Sequence, residues 1–89
     1  MNIPLRKKLE ESSESCGVPC EMIIHFIEAE WISPIDREHR MLDDEDEARV
    51  KLIWELREDF GVNDEAMPII LHLLDQLNFF HWKIKQSIL

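Results

Sequence analysis

The side chains able to attack a substrate, move protons or hold a metal ion are few: Cys16, Cys20, four histidines and scattered carboxylates. Cys16 and Cys20 are separated by three residues, which is neither the spacing of a redox dithiol nor a zinc site on its own. With Gly17 between them, they read as small packing residues at a helix junction. His72 and His81 stand nine residues apart, which at roughly 100° per residue puts them on opposite faces of a helix, so they do not share an ion within one chain. His25 and His39 fall in other segments, and no histidine has another at the i+4 position used by helical metal pairs. Gly17 and Gly61 are the only glycines, both read as helix ends, and no phosphate-cradling loop can be built from them. The pattern assembles no nucleophile, base and electrophile, so the expectation is a binding module with no catalytic residue, no metal and no cofactor.

The elements that must position any site come from a chain of 89 residues and 10.6 kDa, enough for one small domain spanning 1–89. Hydrophobic residues make up 45% and charged residues 33%, a globular composition. At this size a single core is near its lower limit, which favours a helix-rich fold helped by self-association. Nineteen acidic against ten basic residues give a net charge of −9 and an isoelectric point of about 4.8. That field repels a polyanion such as DNA and favours a basic protein partner. The longest apolar runs, Met22-Ile23-Ile24 and Pro68-Ile69-Ile70-Leu71, are far short of a membrane span, and no apolar signal core is evident, so the expected setting is cytoplasmic.

Four helices are predicted. Leu5, Leu9 and Cys16 mark a first helix over 5–16, ended by Gly17. Cys20, Ile23, Ile24, Ile27 and Trp31 recur at three and four residues, a second helix that begins near Pro19, runs to about Glu30 and is stopped by Pro34. Together they form a helix-turn-helix over 5–31, followed at 32–42 by a small wing or hairpin. The acidic run Asp43–Glu47 precedes an apolar-periodic segment, where carboxylates suit a helix N-terminus. Val50, Ile53, Leu56 and Phe60, with Trp54 on the flank, then define a third helix over 43–61. Asn63 or Asp64 caps a fourth over 63–88. Its first half, Met67–Leu74, is apolar on nearly every side and is expected to be buried all round. Ile70, Leu73, Leu77, Phe80 and Ile84 form a short heptad seam, and Phe79, Trp82 and Ile88 add apolar surface beyond what a small domain covers.

This order of parts, carried by Gly17-Val18-Pro19, Glu30-Trp31-Ile32-Ser33-Pro34, His39-Arg40-Met41-Leu42-Asp43-Asp44-Glu45-Asp46 and Arg49-Val50-Lys51-Leu52-Ile53, resembles the MerR-like winged helix-turn-helix. The implied fold is mainly α, about four helices with a small wing hairpin. The recognition-helix positions matching that family's Leu-Arg-Tyr-Tyr-Glu run are Ile23, Ile24, His25, Phe26 and Ile27, so the arginine that reads DNA is missing. The second helix has no Lys or Arg, while Glu21, Glu28 and Glu30 would set carboxylates against phosphates. Arg40 matches the wing arginine, which keeps a DNA-binding transcription regulator as the alternative.

Within that fold the chain resembles the chaperone-modulator family CbpM, most closely over Leu42–Leu77, LDDEDEARVKLIWELREDFGVNDEAMPIILHLLDQL. The resemblance implies a non-enzymatic adaptor that binds the J-domain of a CbpA/DnaJ-type co-chaperone and inhibits its work with DnaK. A J-domain presents a basic helix, which a surface of −9 complements. Candidate partner-binding residues are Glu21, Glu28 and Glu30, the run Asp43, Asp44, Glu45 and Asp46, and the aromatic anchors Trp31 and Trp54. The matching final helix of MerR-like proteins pairs antiparallel with its twin, so Ile70, Leu73, Leu77, Phe80 and Ile84 are the candidate dimerisation residues.

Overall fold

A computed structural model describes residues 8–34, Asp36 and residues 38–88, the side chain of Ile88 excepted. Four helices follow in order: α1 (Leu9–Cys16), α2 (Cys20–Glu28), α3 (Asp44–Glu58) and α4 (Met67–Ile88). The expected start of the first helix at Leu5 lies outside the described residues.

The sequence LEESSESC has little intrinsic helical drive, so α1 depends on what it packs against and on its end. Gly17 takes a left-handed φ of 70°, and the Gly17 and Val18 amides both donate to Ser13 O, closing the helix. Pro19 follows as the N-cap of α2, with Met22 N–H and Ile23 N–H donating to its carbonyl.

Helix α2 ends at Glu28, six residues before Pro34, so the proline is not what stops it. Glu30 turns left-handed at φ 63°, donating its amide to Ile27 O, while Trp31 N–H donates to Phe26 O. That pair of bonds is a Schellman closure with glutamate in the place glycine usually takes. Among the described residues the wing holds one antiparallel bridge, Asp36 with Met41. The Asp36 carboxylate accepts from His39 N–H at 3.1 Å, and Arg40 closes the turn at φ 53°.

The acidic run does cap α3. Asp43 Oδ1 accepts from Asp46 N–H at 2.8 Å and Asp46 Oδ2 accepts from Asp43 N–H at 3.1 Å, a reciprocal capping box. Asn63 likewise accepts from Ala66 N–H in the turn that leads into α4.

Ile23, Phe26 and Ile27 of α2, Val50 and Ile53 of α3, and Met67 and Leu71 of α4 meet in one core with Val18, Trp31, Ile32 and Leu42. Phe26 and Trp31 stack at 5.7 Å between centroids, and His25 meets Trp31 edge-on. Leu9 and Cys16 of α1 close one side; both cysteines are half-buried, their thiols near backbone carbonyls. Beneath α1, buried Ser12 donates to Glu47 Oε2 at 2.9 Å and Ser15 donates to Glu47 Oε1 at 3.2 Å.

Two apolar expectations fail. Phe60 lies beyond the end of α3 and is 75% exposed, so the buried stripe of that helix stops short of it. The first half of α4 is not buried all round: Met67 and Leu71 enter the core, but Ile69 and Leu73 are about 60% exposed. The helix meets the body along one narrow stripe, and nothing else among the described residues covers its other sides. No described helix is long and apolar enough to cross a membrane.

Candidate functional site

The Schellman closure after α2 aims the Trp31 carbonyl away from the helix ladder, and Arg49 of α3 takes it up, Nε donating at 2.6 Å. The other end of the same guanidinium grips α4: Nη1 and Nη2 donate to the two oxygens of Asp75 at 2.8 and 3.2 Å. One side chain thus ties the exit of α2 to both long helices, using the fork geometry that only arginine offers.

Around this tie a groove of about 510 Å³ opens between α3 and α4. Trp31, Leu52 and Leu74 supply its apolar lining, and Glu30, Glu45, Asp46 and Asp75 its carboxylates. Asp75 is matched by Arg49, whereas Glu30 and Glu45 have no ion-pair partner among the described residues. Burial pushes the Asp46 carboxyl above its usual value, the Asp43 and Glu45 charges add to this, and the hydrogen bond from Asp43 N–H opposes it. A smaller hollow of about 300 Å³ shares Glu30, Trp31, Arg49 and Asp75 and extends to Pro68 and His72. The groove repels anions and offers apolar surface ringed by negative charge, the arrangement that receives a cationic, amphipathic ligand.

Of the nine candidate partner residues, the fold brings Glu30, Trp31, Glu45 and Asp46 together on this groove. Trp31 is only 7% exposed, so it serves chiefly as core. Glu21 and Glu28 lie exposed on α2, with Glu28 Oε1 4.0 Å from Arg40 of the wing. Asp43 is engaged in the cap, Asp44 is exposed at the first turn of α3, and Trp54 is half-buried against the core. Arg49, Leu52, Leu74 and Asp75 were not among the candidates. Arg49 opens the stretch Arg49-Val50-Lys51-Leu52-Ile53 that carries part of the resemblance, and Asp75 is the one acidic residue between Met67 and Ile88.

The candidate dimerisation residues lie elsewhere on α4. Leu73, Leu77, Phe80 and Ile84 are 57–60% exposed and Ile70 is half-buried. At roughly 100° per residue, their stripe is about 120° around the helix from the stripe of Met67, Leu71 and Leu74 that faces the body. The histidines stay dispersed: His25 Nε2 is 3.1 Å from Asp64, which also accepts from Arg57, and His39 sits in the wing turn. No group of three or more His, Cys, Asp or Glu among the described residues is placed to hold a metal ion.

Comparison with known proteins finds a family match. The family model described as "MerR HTH family regulatory protein" covers residues 8–86, from the start of α1 almost to the end of α4. No curated protein and no solved structure matches the chain.

Proposed function

The chain belongs to the MerR helix-turn-helix family of regulatory proteins, and from that premise we propose that it is a non-enzymatic adaptor that binds a basic protein partner, the J-domain of a CbpA/DnaJ-type co-chaperone, and inhibits its work with DnaK. The observation that carries this reading is on α2, the helix that such a fold offers to a ligand. It exposes Glu21 and Glu28 and contains no Lys or Arg, so it cannot neutralise phosphates. The resemblance to the chaperone modulators supplies the partner, and the net charge of −9 complements a basic helix. Inhibition is steric: a J-domain held on this surface has its DnaK-facing side covered.

An NMR titration of the labelled chain with a CbpA-type J-domain, at low and at moderate salt, tests this. The expected result is a set of localised shifts that weaken as salt rises. Absence of shifts at both salts removes the adaptor reading.

A second reading is favoured by Arg40, exposed at the wing turn and 44% accessible at its side chain, in a family of regulators. It makes the chain a DNA-binding transcription regulator. Duplex DNA retarded in a gel-shift assay, with affinity falling steeply as salt rises, is its expected signature. We also propose that the α4 stripe Leu73, Leu77, Phe80 and Ile84 is covered by a second copy of the chain, because a monomer leaves it in water.

A further inference from the structure

The hollow between α3 and α4 has three properties that a core defect lacks. Its carboxylates come from three places in the chain, Glu30 after α2, Glu45 and Asp46 at the start of α3, and Asp75 in α4. Its apolar lining, Leu52 and Leu74, is half-buried and accessible. Glu30 keeps its place on the rim at a left-handed φ of 63°, a conformation costly for any residue but glycine.

We infer that this groove seats a helix of the partner, one that is basic on its flanks and apolar along the stripe it turns inward. A third helix laid between two others is packed by the same ridges and grooves as a bundle. Its apolar stripe covers Leu52 and Leu74, while its Lys or Arg side chains meet Glu30 and Glu45, the two carboxylates without an ion-pair partner among the described residues. The choice of occupant follows from charge: four carboxylates against one guanidinium, itself committed to Asp75, exclude an acidic helix and a nucleic acid. A second copy fits less well, because the exposed seam of α4 points about 120° away. The identity of the partner rests on the adaptor reading; the groove and the chemistry it accepts do not.

The test compares three full-length proteins by calorimetric titration against a CbpA-type J-domain and, separately, against a synthetic amphipathic Lys/Leu helix. They are the wild type, a groove variant Glu30→Lys with Glu45→Lys, and a control Glu10→Lys with Glu14→Lys, which makes the same change in net charge at two exposed positions of α1. Circular dichroism and thermal unfolding confirm that each is folded. The expected result is a loss of roughly tenfold or more in affinity for the groove variant and less than about threefold for the control. Equal losses in the two variants, or a larger loss in the control, overturn the groove while leaving the adaptor reading in place. If the J-domain binds no variant but the peptide binds the wild type and not the groove variant, the groove stands and the adaptor reading falls. Failure of both ligands, or a groove variant whose only change is in self-association, overturns the groove.

Discussion

Arg49 and Asp75 form a two-pronged ion pair whose guanidinium also holds the Trp31 carbonyl, so α4 is anchored to the chain exit of α2 rather than to a broad face of the core. Arg49→Met is expected to cost about 1–2 kcal/mol, because it leaves both the carbonyl and the carboxylate without their donor. Asp75→Asn should cost less than about 1 kcal/mol, since the carboxylate is half exposed. Urea unfolding of both variants checks the ranking, and equal costs would show that the Trp31 contact contributes nothing.

Ser12 and Glu47 carry a different kind of bond. Both are buried, and the serine hydroxyl is one of the ties that hold α1 against α3. Ser12→Ala removes a donor from a buried carboxylate and should cost about 1–3 kcal/mol. Ser15→Ala, at an exposed serine, should cost under half of that. Hydrogen exchange should speed up in α1 for the first variant before it does in α2.

Glu30 offers a gain. Replacing a left-handed glutamate by glycine relieves the clash of Cβ with the backbone, and Glu30→Gly should raise stability by about 0.5–1 kcal/mol. It also removes one charge from the groove rim. A variant that melts higher yet binds a basic partner less well would show strain retained for recognition, whereas a fall in melting temperature would refute the backbone argument.

Asp46 sets an acid-side dependence. Its carboxyl is raised above the ordinary 3.8 by burial and by its acidic neighbours, so the folded state binds its proton more readily than the unfolded state does. The ionised group therefore opposes folding at neutral pH, and this opposition is relieved as pH falls through the raised value. Asp46→Asn keeps an oxygen to accept from Asp43 N–H and should be the more stable form near pH 7. Its advantage should shrink as pH approaches the ordinary carboxylate range, read as the difference in urea midpoints from about pH 7 to about pH 4. A constant difference would exclude this linkage.

The exposed stripe of α4 is checked by charge. Leu73→Glu with Leu77→Glu places two carboxylates in a surface that needs none for the fold, since both leucines are about 60% exposed. Sedimentation should show dimer for the wild type and monomer for the variant, with thermal unfolding of the monomer little changed beyond the loss of concentration dependence.

The helices were legible because periodicity and caps agree: Gly17 ends α1, and Asp43 with Asp46 caps α3 as the acidic run implied. In the wing, Asp36 pairs with Met41 and closes the turn with its own side chain, a local bond that periodicity does not register. Helix α2 ended early for a reason invisible to a rule about proline, a glutamate in the left-handed region. The burial of α4 was overestimated because an apolar circumference says only that a helix wants cover, not that the chain has mass to provide it. The groove draws on residues 30, 45, 46 and 75, and no spacing rule links positions so far apart.

The separation of seam and groove on α4 has a consequence for valency. Two chains joined along Leu73, Leu77, Phe80 and Ile84 keep both grooves open, since the grooves lie on another flank. The pair is then a two-handed clasp. A partner that is itself paired can be gripped twice, the second grip drawing on an effective concentration of the order of millimolar where the spacings match. Modest contacts in each hollow then add up to a slow release, and a single point of attachment lets go easily.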